Sequence, residues 1–427
     1  AVRFSKQNKQ SNIDQTKKID TTKAPYWRLM ANNVNFTNAN IQFDDDQYPK
    51  QKVGLDYFHL KAQDLNLSAD SLDFSQNGFA GKIAKFDFKE QSGLSLQELN
   101  TRFAYSNKET FLRDFNLKTI NSHIQTDLVL QYNSPESLAK QIGECMVNLN
   151  LKESKLAISD LLLVAPDLKK QLVKYQNKWI NAGGVVNGKI AKLKITDFNA
   201  NGFTKTSLQL KGIITGLPNL NKTYFQFPSL AMSTTNKDLL AILPPKTIPN
   251  SIQIPASMRV KGSFNGTMNA FGAKLLASTS MGNIAFNGSM SLNNKSYDAA
   301  VDLMQVDLGR FLKKDSLLGQ LSMHAKVKGV GYDYKTLKAD VQTTVQSFEF
   351  KGYEYQNLNA NAQLDQGNLQ LNAALDDTNL VFDLNANAEL KQGFPALKLS
   401  MLLDTINFKG LHLTTDSFSM HSKLIVD

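Results

Sequence analysis

The chain has 427 residues, 42% of them apolar and 20% charged, which excludes a disordered polymer and allows two or three domains or one elongated repeat array. Its formal charge is +10, but the lysines are scattered and their densest clusters, Lys169–Lys170 and Lys313–Lys314, are only pairs. A nucleic-acid surface needs a basic patch interleaved with aromatics, so no nucleic-acid partner is expected and the lysines read as solubilising and edge-protecting.

Residues 1–24 are polar, Lys-rich and aperiodic, a lead-in or linker. The chain opens AVRF, without Met, and reads as a processed or excised piece whose targeting segment has been removed. Residues 25–133 form a first β segment of period two. Within it Leu65 and Leu67 stand in one phase and Leu72 and Phe74 in the other, which calls for a turn or a bulge. IAKFDF, FLRDFNLKT and IQTDLVLQY are further strands, with turn signals SQNG and EQSG between them.

Residues 134–181 read as a helical insertion. SPESLAKQIGECM has a helix start at Ser-Pro-Glu. NLNLKESKLAI is strand-like. PDLKKQLVKYQNKWI places Leu168, Leu172, Tyr175 and Trp179 on one stripe, a helix expected to plug the edge or end of a sheet, or else to lie on a membrane surface. LLLVAP at 161–166 is the longest apolar run, far short of the ~20 residues of a membrane-spanning helix. Residues 182–427 are a second, continuous series of alternating strands with SLLGQL and PPKTIP as turns or loops. Leu358, Leu369 and Leu380 recur at a step of eleven, whose phase reversal an antiparallel meander absorbs. About 25–30 strands are expected, by typical strand and turn lengths.

A one-sided sheet must cover its apolar side. The covers are a second sheet, helices (too few here), a bilayer around a barrel, or the sheet's own curl, which leaves a trough. A trough would be lined by the apolar phase: Ile284, Phe286, Leu358, Ala360, Leu369, Leu371, Leu380, Phe382, Leu384, Leu397, Leu399 and Met401. The sandwich and the trough are not separated by the pattern alone.

Catalytic chemistry is sparse. His59, His123, His324, His412 and His421 have no metal-ligand spacing, and HExxH does not occur. KGVGYDY lacks a third Gly and a following helix. Asp44–Asp46 is shorter than a calcium loop. GLSLQ is not a nucleophile elbow. Asp376 and Asp377 read as turn residues. The lone Cys145 excludes an intrachain disulfide and reads as a small buried hydrophobe. No enzyme, metal or cofactor is expected.

Several stretches, in order, resemble the AsmA-like superfamily and within it the TamB-type (translocation and assembly module) envelope proteins of the Bacteroidetes kind. They are GKIAKFDFKEQSGLSLQELNTRFAY, FLRDFNLKTINSHIQTDLVLQY, LKESKLAISDLLLVAPDL, TYFQFPSLAMSTTNKDLLAILPPKTIPNSIQIP and YDAAVDLMQVDLGRFLKKDSLLGQLSMHAKVKGVG. The resemblance runs from about residue 50 onward and rests on the ordered series, since no single motif is diagnostic. It implies a mainly β fold, an elongated curled antiparallel sheet or groove with a small helical insertion. It further implies a periplasmic location, an inner-membrane anchor absent from this chain, phospholipid as partner, and a place in outer-membrane biogenesis. The alternative is a scaffold that meets outer-membrane assembly proteins by strand addition, or a plain sandwich or outer-membrane barrel.

Overall fold

Strict alternation of apolar and polar residues puts the two side-chain sets on opposite faces of a sheet. The structure, a computed structural model, follows that rule almost throughout. It describes residues 2–4, 27–243, 247–390, 396–415 and 418–426. The fold is mainly β, an open antiparallel architecture with a few short helices. Contacts divide it into two units, Ala1–Thr223 and Tyr224–Asp427.

The first unit holds β1 (Val2–Phe4), β2 (Arg28–Asp45), β3 (His59–Ser75), β4 (Gly78–Glu90), β5 (Ser95–Ser106), β6 (Glu109–Thr119), β7 (His123–Gln131), β8 (Met146–Ala157), β9 (Trp179–Lys189), β10 (Lys192–Gly202) and β11 (Thr206–Thr215). From β2 to β11 each strand pairs antiparallel with the next, while β1 lies parallel against Phe43–Asp45 of β2. Its helices are α1 (Pro135–Lys140), α2 (Ile158–Val164) and α3 (Lys169–Leu172).

The second unit is a meander of β12 (Tyr224–Thr235), β13 (Ser257–Gly266), β14 (Ala270–Thr279), β15 (Gly282–Ser291), β16 (Ser296–Asp307), β17 (Leu318–Val330), β18 (Lys338–Phe350), β19 (Tyr353–Asp365), β20 (Asn368–Asp377), β21 (Leu380–Glu389), β22 (Ala396–Asn407) and β23 (Ser419–Val426), with α4 (Asn236–Ile242) and α5 (Leu308–Leu312). Its hairpins have a local cause. Gln366 and Gly367 have φ of 50° and 86°, and Lys351 and Gly352 have 50° and 77°. Two successive left-handed residues make the tight turn whose twist matches flanking strands. In neither unit does the first strand pair with the last among the described residues, so neither closes into a barrel.

The strands are creased. In the second unit Leu303, Met323, Val345, Leu358, Leu375, Phe382 and Leu403 are successive cross-strand partners. Register shifts lie beside this rung at Leu303/Val306, Ser322/Met323, Val381/Phe382 and Leu403/Ile406. A bulge bends its strand, and bulges aligned across neighbours bend the sheet along one line. Val306, Val345, Leu375 and Leu403, on or next to that line, are buried, so the apolar side is the inside of the bend. In the first unit the unpaired ladder groups at the bulges are taken by buried hydroxyls: Thr101 Oγ1 donates to Arg113 O (3.1 Å), Thr126 Oγ1 to Asn150 O (3.1 Å) and Ser154 Oγ to Gln125 O (3.2 Å). An unpaired carbonyl there would otherwise cost about 1–3 kcal/mol.

A repeat runs through the topology. Glu90, Asp160, Asp238, Asp307 and Asp377 stand at or just past the ends of β4, β8, β12, β16 and β20, at intervals of 70, 78, 69 and 70 residues. All but Asp307 are buried. Three of them reach back to an earlier turn. Glu90 accepts from Lys61 N (3.1 Å), Asp160 from Thr119 Oγ1 (2.5 Å) and Ser122 Oγ (2.6 Å), and Asp377 from Tyr353 Oη (2.6 Å) and Gln356 N (3.1 Å). Each of these three carboxylates thus ties neighbouring strand ends within its own unit. The longer second interval contains α3 and the two 3-10 turns between α2 and β9.

Some sequence expectations change. The described residues hold 23 strands, fewer than expected because the phase flip between Leu67 and Leu72 is a bulge at Ser71 (φ 52°) inside a single strand, β3. The long helix over PDLKKQLVKYQNKWI is broken into a 3-10 turn at Pro166–Leu168, the four-residue α3, another 3-10 turn at Val173–Tyr175, and β9. Trp179 leaves the helical stripe because it pairs with Ala157 in the ladder and lies under Lys155 Nζ at 5.1 Å; tertiary pairing overrides the local period. The start at Ser134 does form α1, with a reciprocal cap between Ser134 and Ser137. SLLGQL is not all loop, since β17 begins at Leu318. Of PPKTIP, 244–246 lie outside the described residues, as does most of the 1–24 lead-in. The lysines do not guard every edge: β2 carries no charge from Leu29 to Phe43.

Candidate functional site

All twelve residues assigned to the lining fall on one face of the second unit. Phe286 faces Leu275 and Val301, and Ile284 faces Ala277 and Leu303. Leu358 faces Leu375, which faces Phe382. Ala360, Ala373, Leu384 and Met401 form a second rung; Ala362, Leu371, Ala386 and Leu399 a third; Leu369, Ala388 and Leu397 a fourth. Leu380 pairs with Ile406. Eleven of the twelve are half-buried and Leu397 is 43% exposed. The other face carries amides in register, Asn361–Asn372–Asn385 among them, which accounts for the heavy use of Asn.

This face is no closed core. Every described strand of the unit belongs to the one meander, so the described residues of the unit hold no second sheet to cover it. The largest side chains buried completely, Ile158 and Cys145, both belong to the first unit. That unit has a comparable apolar rung that the sequence reading left unassigned: Leu112, Leu128, Leu149, Val186 and Ile195.

The strand ends differ in chemistry. One rim of the second unit carries α4, α5 and the turn around the buried Leu411. The opposite rim carries no helix among the described residues, and there a cleft of about 600 Å³ lies among Phe271, Met290, Tyr297, Val330, Asp298 and Lys328. Burial pushes the phenols of Tyr297, Tyr353 and Tyr355 above the ordinary 10.0; at Tyr353 the hydrogen-bonded Asp377 adds to the rise. A group whose folded pKa is raised contributes stability below its unfolded value and loses it as pH climbs through the folded one. Tyrosinate absorbance and unfolding midpoints measured together are expected to show these phenols ionising above 10 with loss of stability; ionisation at 10 with no change in midpoint would contradict the packing.

In the first unit, α2 is held to the strand ends by Asp160, by Leu55 N donating to Leu163 O (2.7 Å) and by Tyr57 Oη donating to Val164 O (2.9 Å). Gly54 sits beneath it with φ +78°, where a Cβ would meet Leu163 O at 2.8 Å. Beside this contact lies a polar cleft of about 750 Å³. In it His59, 4% exposed, has Nδ1 3.1 Å from Asp56 Oδ2. Burial alone would raise the Asp56 carboxyl, but the Gln51 and Phe58 amides and His59 together hold it below the ordinary 3.8. The sequence reading tested His59 only as a metal ligand; the Asp–x–x–His spacing at 56–59 was the available signal.

Among the described residues no three His, Cys, Asp or Glu side chains stand together as a metal site, and no helix is long and apolar enough to cross a membrane. The chain matches no protein-family model, no curated protein and no solved structure.

Proposed function

We propose that the chain holds or conducts phospholipid acyl chains along the apolar faces of its open sheets, as a periplasmic bridge-like protein of the AsmA-like, TamB type that supports outer-membrane biogenesis between inner and outer membranes. The observation that carries this reading is the continuous, half-buried apolar face of the second unit, for which the described residues of that unit hold no second sheet as cover. An exposed apolar surface of that extent is a binding surface in a water-soluble setting. Acyl chains need no reactive or polar partner there: burial is worth about 25 cal/mol per Å² and is non-directional, so a chain can slide from rung to rung. Native mass spectrometry of gently purified protein is expected to show bound phospholipid, and a photo-cross-linker at Leu384 to label it. Protein free of lipid under both measurements overturns the reading.

A second reading, a scaffold for outer-membrane proteins by strand addition, is favoured by one observation. Short of the β1 pairing at Phe43, one edge of β2 has no partner strand among the described residues and is uncharged from Leu29 to Gln42, with Leu29 63% and Met30 61% exposed, and unpaired edges of that kind pair with other strands. Cross-linkers in β2 would then capture protein, where the first reading predicts lipid at Leu384.

A further inference from the structure

The polar cleft of the first unit has an unbalanced inventory of hydrogen-bonding groups. Each of its three carboxylates accepts at least one hydrogen bond. Asp56 accepts from Gln51 N (2.7 Å), Phe58 N (3.1 Å) and His59 Nδ1. Glu90 accepts from Lys61 N (3.1 Å) and Ser92 N (2.6 Å). Asp44 accepts from Gln42 Nε2 (2.6 Å). Its hydroxyl and ammonium donors are without partners among the described residues. Ser92 Oγ is buried without a partner. Lys50, Lys52 and Lys61 line the cleft, and no carboxylate among the described residues stands within ion-pair distance of their ammonium groups. His59 lines it too, with Nδ1 3.1 Å from Asp56 Oδ2 and no partner for Nε2 among the described residues.

We infer that this cleft binds a phosphate ester, with Ser92 Oγ donating to a phosphate oxygen from the floor beside His59, and Lys50, Lys52 and Lys61 closing over the group from the rim. Charge-assisted donors around a tetrahedral oxyanion are the complement that such an inventory lacks. Gln91 Nε2 donating to His59 O (2.9 Å) ties the two floor residues to one hairpin end. The cleft is several times larger than a phosphate group, so the remainder of the ester has room beside it. Hydrolysis is not part of the inference: Ser92 Oγ makes no hydrogen bond to His59, and a nucleophile needs its base within that reach. The site does not depend on acyl chains lying on the apolar faces; a soluble phosphate ester and a phospholipid headgroup share the chemistry it recognises.

The test titrates the full chain with inorganic phosphate, with glycerol phosphate and with phosphatidylglycerol vesicles, following the His59 imidazole resonances and calorimetric heat. A saturable shift at His59 with either soluble ligand supports the inference and assigns a free ester. A shift with vesicles alone supports it and assigns a headgroup. The Lys50→Ala/Lys52→Ala pair and Ser92→Ala, which remove groups without protein partners and so spare the fold, are each expected to weaken binding about tenfold or more. No shift with any ligand, or equal affinity in wild type and both variants, overturns it. Bound phospholipid by mass spectrometry reads the acyl-chain proposal separately, so either can fail alone.

Discussion

Replacing Leu371 by aspartate is expected to strip phospholipid from the protein while leaving the sheet folded. Leu371 stands on the apolar face between Ala362 and Ala386, whose methyl groups offer a carboxylate nothing to pair with. It is half-buried, so without lipid the new charge reaches water and folding survives. With acyl chains over it, the charge would be shut into hydrocarbon unpaired, a cost of several kcal/mol. Lipid per chain should fall at least tenfold, since each factor of ten needs only about 1.4 kcal/mol. Asn372→Asp, one residue along and on the opposite face, should change nothing. Phe382→Lys repeats the test with the opposite charge. Undiminished lipid in both inner-face variants, with cooperative unfolding intact, would end the acyl-chain reading.

Asp160→Ala should be the most destabilising single change on the rim of the first unit. It orphans the Thr119 and Ser122 hydroxyls, which donate at 2.5 and 2.6 Å. It also loosens Ser122, whose Oγ accepts from Ala157 N at 2.9 Å and so fixes the end of β8. Buried hydrogen bonds to a charged group are worth about 1.5–3 kcal/mol each, with partial overlap, and a total near 3 kcal/mol is expected. For a unit of this size that lowers the melting temperature by about 6–12 °C. Asp160→Asn keeps an acceptor and should recover part of the loss. A fall below about 2 °C for the alanine variant would show that α2 is held by its other contacts.

The meander was legible because the period-two signal is carried by many residues at once. Leu358, Leu369 and Leu380 lie on three strands, and their shared face follows from alternation plus two-residue turns such as Gln366–Gly367. The crease was visible only as the phase change around Ser71, since a bulge and a turn leave the same mark in a sequence. The helices were less legible. The stripe from Leu168 to Trp179 has the right spacing, but ladder pairing claims its last residue. The short α2, α4 and α5 span too few turns to show a period. The polar cleft was hidden because its parts come from four places, 42–44, 50–61, 90–92 and Leu163, and only folding brings them together.

The carboxylate spacing sets how such a chain can change length. Removing one strand would reverse the direction of all that follow and turn their leucines outward. Removing two restores direction but parts a terminal acid from the turn that donates to it. Only a block of about 70 residues, as from Asp307 to Asp377, preserves direction, facing and anchorage together. Four strands are therefore the natural quantum by which insertion or deletion could tailor this protein's reach.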